Sequence, residues 1–295
     1  MPFSPTYDVP EERRAYTMLA GPVGCLMLHG FMGSPASSRP LAGYLAERGI
    51  SVHCPLLPGH GQLPNKMYKI PREAWIAEAE EALTLLQKHC DQIFLMGHSM
   101  GTALSAHLAC VGANSGESDF AGVIMLAPAY NVPDGRIQLL RVVRYVMPWL
   151  YPLKMGSLKD LAHERLLEFD PSLDFDEPAV QARLPEMSRV PTSAIDEMRK
   201  MVDAGRELWP KLDLPAIIFQ GGRDIAVSLE NTEKLYALLP NEDKQLIVFG
   251  DAGHELMRPF EAVHAEVWPA VYEFIRLRSG SESLKTSRTR DILNK

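Results

Sequence analysis

The run Gly97-His98-Ser99-Met100-Gly101 constrains this chain more than any other stretch. It follows Gln92-Ile93-Phe94-Leu95-Met96, a short apolar run with strand character. It precedes Thr102 to Val111, where Ala103, Leu104, His107, Leu108 and Val111 recur at helical spacing. A G-x-S-x-G between a strand and a helix reads as a nucleophile elbow. The chain must turn within a few residues, which strains the backbone at the serine, and glycine on either side leaves room for that turn. Ser99 Oγ is then held above the sheet, and the Met100 N–H lies at a helix N-terminus, where partial positive charge favours an oxyanion.

The surrounding chain alternates strand and helix. Gly24 to Leu28 reads as a buried strand leading into His29-Gly30-Phe31-Met32-Gly33, with a helix expected over Pro35 to Arg48. Ile50 to Cys54 is a second strand, followed by the turn-rich Pro55 to Gly61 and a helix over Ala74 to His89. After the elbow, Phe120 to Leu126, Ala216 to Gln220 and Gln245 to Phe249 are further strands. Helical patterns follow the last two, at Leu229 to Leu239 and about Phe260 to Arg278. Repeated βα units with apolar strands imply α/β architecture: a mostly parallel central sheet flanked by helices. Residues 130–210 break the alternation with helical patterns and prolines only, too long a stretch for a loop, so an inserted helical cap or lid is expected there. The core is then residues 1–129 and 211–278, and the polar stretch 279–295 is expected to be a disordered tail.

A serine hydroxyl needs an adjacent base, itself oriented by a third group. In a parallel sheet those groups belong on loops at the carboxyl ends of strands. Of nine histidines, His254 meets that condition best, following the strand that ends at Phe249. His264 falls within a helical pattern. Asp224 stands just past the preceding strand, giving the order Ser99, Asp224, His254 of an elbow-type triad. Asp251 is the rival acid, but so near a sequence neighbour reaches the far side of the ring poorly. The second oxyanion donor is expected from the loop after the first strand, with the Phe31 N–H chosen beside that of Met100. His29 and His60 read as supporting residues, and His98 as one that points away from the reaction.

The same reading excludes several classes. A net charge of −7 argues against a nucleic-acid partner. Cys25, Cys54, Cys90 and Cys110 show no C-x-x-C spacing and read as reduced structural thiols. Neither a metal nor an organic cofactor is called for. No signal peptide and no run of 18 apolar residues is present, so a cytoplasmic protein is expected. The apolar, basic segment Arg136 to Lys154 could line an acyl pocket, pack the cap onto the core or rest on a lipid surface. Phe31, Met32, Met147 and Trp149 are the expected substrate-binding residues.

His29-Gly30-Phe31, Pro58-Gly59-His60-Gly61, Gly97 to Gly101, Asp224 and His254 together resemble the α/β-hydrolase superfamily. Leu28 to Pro35 followed by Arg39-Pro40-Leu41-Ala42 is most similar to bacterial monoacylglycerol lipases and related carboxylesterases. The resemblance spans about residues 23–128 and 212–276. Thr102 departs from it, standing where many relatives carry a second glycine, and the cap has no visible counterpart. The resemblance implies a serine hydrolase acting through an acyl-enzyme on a small-molecule ester, such as a monoacylglycerol or another medium-chain acyl ester. An acyltransferase, a C–C, amide or thioester hydrolase, or a ligand-binding module with a slow triad remain open, as does oligomeric state.

Overall fold

The computed structural model describes residues 9–111, 120–131, 140–154, 166 and 173–280. Its centre is a seven-stranded sheet. The strands are β1 (Tyr16–Met18), β2 (Val23–Leu28), β3 (Ile50–Cys54), β4 (Gln92–His98), β5 (Phe120–Leu126), β8 (Ala216–Gly221) and β9 (Lys244–Phe249). They lie in the order β1-β3-β2-β4-β5-β8-β9, parallel except for β1, which pairs antiparallel with β3. The strands read as continuous apolar runs because both faces are covered, and alternate residues feed two separate cores. Leu26, Leu28, Leu95, Met125 and Ile218 face one cluster; Cys25, Met27, Phe94, Ile124 and Phe219 face the other.

The first cluster is closed by α2 (Arg72–Gln87) through Trp75, Ala79 and Leu86, and by α3 (Met100–Cys110) through Ala103 and Leu104. The second is closed by α1 (Arg39–Ala46) through Leu41 and Leu45, and by α8 (His264–Arg278) through Val271, Phe274 and Ile275. A 3-10 turn at Pro35–Ser37 precedes α1, so the helix expected from Pro35 begins four residues later. Helix α7 (Leu229–Leu238) is capped at its start by Ser228 Oγ, which accepts from Asn231 N. The four cysteines are free, and burial pushes the Cys54 thiol up to about 12, which suppresses its thiolate.

The 130–210 stretch contributes α4 (Leu140–Val146), α5 (Pro178–Met187), α6 (Thr192–Leu208) and a two-residue ribbon of β6 (Trp149–Leu150) with β7 (Val190–Pro191). Its parts are held differently. Helix α6 lies directly on α3, and its Met201 and Leu208 belong to the same apolar cluster as Ala103 and Leu104. Helix α4 is tied to α6 by Arg144, whose Nη1 meets Asp196 Oδ2 at 2.9 Å and Glu197 Oε1 at 3.2 Å. Its Val142, Tyr145 and Val146 are about three-quarters exposed. Residues 132–139, 155–165 and 167–172 of the expected cap and 281–295 of the expected tail lie outside the described residues. Ser279 is buried and closes α8 with its hydroxyl on Arg276 O.

Strand order places the site. From β2 the chain moves to β3 on one side, then crosses back to β4 on the other. The carboxyl ends of β2 and β4 therefore flank the point where the winding reverses, where open α/β sheets leave a crevice. Helix α1 accordingly lies on one face and α2 on the other.

Candidate active site

Ser99 follows β4 and caps α3 with φ 53° and ψ −120°, a conformation that costs about 1–3 kcal/mol for a non-glycine residue. Its main chain is fastened on both sides. Ser99 N donates to Leu126 O at 2.9 Å, while Ser99 O accepts from Thr102 N at 3.1 Å and Thr102 Oγ1 at 2.6 Å. Thr102 thus uses its hydroxyl to satisfy the carbonyl at the turn. The flanking glycines are required by contact: a Cβ on Gly101 would stand 2.0 Å from Leu28 O, and one on Gly97 2.5 Å from Thr102 N. These contacts let α3 begin directly against β2, two residues earlier than its apolar spacing predicted.

The loop after β2 meets the elbow from the other side. A Cβ on Gly30 would lie 3.0 Å from Ser99 Cβ. The loop is closed by Gly33 N donating to Gly30 O at 3.0 Å, with Met32 at φ 60°. Among the described residues, the N–H groups of Phe31 and Met100 donate to no protein acceptor. The Phe31 ring packs edge-on against His60 and Trp75, with centroids 6.1 and 6.4 Å away.

Two buried histidines brace this loop. Leu57 N donates to His29 Nε2 at 3.1 Å, so the ring proton sits on Nδ1, which donates to Gly30 O at 3.0 Å. His60 Nδ1 donates to Pro58 O at 3.1 Å, an acceptor shared with Trp75 Nε1. Burial, with His60 nearby, pushes His29 down to about 3, and burial pushes His60 down to about 4. Both rings are neutral supports.

Asp224 and His254 meet across the loops after β8 and β9, with His254 Nδ1 2.8 Å from Asp224 Oδ2. Asp224 Oδ1 accepts from Ala226 N at 2.8 Å and Val227 N at 2.9 Å, and its side chain is inaccessible to solvent. Burial alone would raise its pKa. The hydrogen bond and charge of His254, with the two backbone N–H groups, outweigh burial and hold it below the usual carboxylate range. An ionised carboxylate only accepts, so Nδ1 carries the hydrogen of this bond and Nε2 is the ring nitrogen turned away from Asp224. Asp251, the rival acid, instead pairs with Arg223 at 2.5 Å on the exposed surface. His264 opens α8 and donates Nδ1–H to Glu261 O at 2.7 Å.

Sequence reasoning missed one support. Gln220 lies buried in β8, where its Nε2 donates to Gly221 O and Val227 O at 3.0 Å and its Oε1 accepts from Thr232 Oγ1 at 2.7 Å. It thereby pins the turn that carries Asp224. A glutamine in an otherwise apolar buried strand was the available signal. His98, expected as a supporting residue pointing away, instead turns its ring onto His254, with centroids 4.7 Å apart.

The expected pocket residues of the cap are occupied in other ways. Trp149 is stacked on Tyr68 at 4.9 Å, with the Arg189 guanidinium 4.3 Å from its ring centroid, and Met147 is more than half exposed. Among the described residues no group of three or more His, Cys, Asp and Glu is disposed to hold a metal ion. No described helix is long and apolar enough to cross a membrane.

Comparison with known proteins agrees with this fold. The chain is 27% identical over 237 residues to a thermostable monoacylglycerol lipase of Bacillus sp. (strain H-257), covering 79% of this chain and 83% of that one. It is 23% identical over 269 residues to a carboxylesterase of Bacillus subtilis (strain 168), covering 89% and 96%. A solved structure from work on LipS and LipT, two metagenome-derived lipolytic enzymes, superposes with a TM-score of 0.73 at 24% identity, covering 91% of this chain and 99% of that one. The pattern of the serine aminopeptidase S33 family matches residues 24–261, and the chain is a member of that family, a serine hydrolase with the α/β-hydrolase fold.

Proposed function

We propose that the protein hydrolyses carboxylic esters with medium or long acyl chains, monoacylglycerols among them, through Ser99, His254 and Asp224. The observation that carries this reading is the 2.8 Å pairing of His254 Nδ1 with a buried, backbone-held Asp224, in a chain that also carries a serine strained at φ 53° between β4 and α3. His254 Nε2 takes the Ser99 proton as Oγ attacks the ester carbonyl, and the oxyanion is received by the N–H groups of Phe31 and Met100. Collapse of the tetrahedral adduct expels the alcohol, which leaves with the proton from His254. A water deprotonated by the same nitrogen then attacks the acyl-enzyme, and Ser99 is released with the free acid. Asp224 keeps the proton on Nδ1 and stabilises the imidazolium formed in each half. Residues 130–210 act as the cap, with Phe31 and Met32 as walls of the acyl pocket.

The family's description raises an amide substrate with a free amino terminus as the second reading. Enclosing an ammonium requires a free carboxylate near the site. The buried acids of α6 are already committed: Asp196 to Arg199, Lys200 and Arg144, and Glu197 to Lys200 and Arg144. That favours the ester. The test is turnover of p-nitrophenyl esters from two to sixteen carbons, a monoacylglycerol and an aminoacyl p-nitroanilide by wild type and Ser99→Ala. Ester turnover by wild type alone, rising beyond butyrate, is expected. A peak at acetate, or faster anilide cleavage, overturns the acyl-chain assignment, and activity retained by Ser99→Ala overturns the nucleophile.

A further inference from the structure

The segment carrying His254 runs from Gly250 to Val263 without a helix or strand beyond a few turns, so the imidazole stands on irregular backbone. Asp224 grips one edge of the ring, at Nδ1. Arg223 N holds the main chain at Ala252 O, 2.9 Å away, but that bond and the one to Asp224 leave the backbone at His254 itself and rotation about the Nδ1 bond unfixed. Both are met by His98. Its Nε2 lies 3.1 Å from the main-chain oxygen of His254, and since a carbonyl only accepts, that nitrogen carries the hydrogen and donates. Its ring covers the face of the His254 ring, tilted by 49° at a centroid distance of 4.7 Å. On its other side, the His98 ring flanks the loop of the oxyanion donor: a Cβ on Gly30 would lie 3.5 Å from His98 Nδ1. His98 is 6% exposed, too enclosed to swing away.

We propose that His98 is a positioning residue that holds the imidazole of His254 at a fixed place relative to Ser99. The side chain is joined to Ser99 by one peptide bond and to His254 by a hydrogen bond and a ring face. The nucleophile and the base, 155 positions apart in the chain, are thus mounted on one support. A small displacement of a base from its proton donor can lower turnover about 100-fold, so the second contact has kinetic weight. This role rests on the triad assigned above, in which His254 is the base.

The test uses the full-length protein with a p-nitrophenyl ester and three comparisons. His98→Leu keeps bulk but removes the donor and the flat ring, whereas the amide of His98→Gln reaches the position of Nε2 and restores the donor. We expect kcat to fall about 10- to 100-fold in His98→Leu with KM within about twofold, and His98→Gln to recover most of the loss. The low-field proton signal of His254 Nδ1–H, read by NMR, shifts or broadens in His98→Leu and returns in His98→Gln. Wild-type kcat with an unchanged signal in His98→Leu overturns the proposal. So does a His98→Gln protein that melts like wild type yet is as slow as His98→Leu. Ser99→Ala and His254→Ala are run alongside: if either turns over at the wild-type rate, the triad reading fails first and takes the proposal with it. If both are inactive, the outcome with His98 bears on positioning alone.

Discussion

Lowering the pH from 8 to 5 should destabilise this protein through the two histidines that brace the loop after β2. His29 and His60 are held neutral, at about 3 and about 4 against an ordinary 6.5, because both rings are enclosed. In the unfolded chain they protonate near 6.5, so between that pH and 3–4 the unfolded state binds more protons and stability falls with acidification. The contribution is complete above pH 6.5 and is lost progressively as pH drops towards the folded-state values. At pH 5 the linkage relation gives a loss of about 2 kcal/mol per ring, about 4 kcal/mol for the pair. Asp224 and Asp196, whose carboxyls are held low, lose their contribution only below about pH 4 and leave this window almost untouched. Burial lowers His53 and His107 and raises Glu78, so these alter the total slope. A variant isolates the effect. In His60→Asn the amide donor can occupy the place of Nδ1 on Pro58 O and does not titrate. Unfolding free energies from urea titrations at pH 8 and pH 5 should show a loss smaller by about 2 kcal/mol in His60→Asn than in wild type. A difference below about 0.5 kcal/mol would refute the claim that a neutral buried His60 sets this dependence.

Three further outcomes follow from contacts at the site and cap. Gly101→Ala puts a Cβ 2.0 Å from the Leu28 carbonyl, backbone that cannot yield without separating α3 from β2; loss of about 4 kcal/mol or more is expected, read as insoluble expression or a collapsed melting transition. Asp224→Asn keeps an oxygen for the Ala226 and Val227 N–H groups, so Tm should move little while kcat falls about 10³- to 10⁴-fold in steady-state ester assays. Arg144→Met removes the ion pairs from α4 to Asp196 and Glu197, but Asp196 keeps Arg199 and Lys200. Global stability should drop by no more than about 1 kcal/mol, while limited proteolysis within residues 140–154 accelerates several-fold.

The sheet was legible because its physics is local. Strands buried on both faces are mostly apolar, and β2, β4, β5 and β8 each carry an apolar run of four or more residues, while β3 places Ser51 and His53 between Ile50, Val52 and Cys54. The edge strand β1, three residues of mixed exposure, and the two-residue ribbon of β6 and β7 carry no such signature and were missed. Helix starts were misplaced where geometry rather than periodicity decides them, as at Met100, where the elbow begins the helix before its apolar spacing does. Asp224 and His254 could be chosen from the sequence because both follow a strand directly, which leaves few places for them to be. The contact of His98 with His254 could not, since it depends on which way a side chain leaves a strained turn. The engagement of Trp149 with Tyr68 and Arg189 was hidden for a related reason: it joins three segments from different parts of the chain.

The two halves of the molecule differ in how they are fastened, and that difference bears on function. At the carboxyl ends of β4, β5 and β8 the main chains hold one another directly: Ser99 N to Leu126 O, Ala127 N to Phe219 O and Ala129 N to Ser99 O. The loops carrying Asp224 and His254 are joined in the same manner, by Gly222 N to Phe249 O and Arg223 N to Ala252 O. Backbone bonds of this kind do not depend on which side chains the loops carry, so the relative placement of these loops survives extensive sequence change. Helix α4 and the β6–β7 ribbon rest more on side chains: beside the ribbon pairing and Thr192 N to Pro148 O, they are held by Arg144 with Asp196 and Glu197, and by Trp149 between Tyr68 and Arg189. A handful of substitutions suffices to re-seat them. On the function proposed above, loops joined by main chain keep the bond broken constant, while segments seated largely by side chains let the acyl group admitted vary. The acyl-chain profile should therefore respond to changes at Tyr68, Trp149 and Arg189 that leave the rate on the shortest ester unaltered.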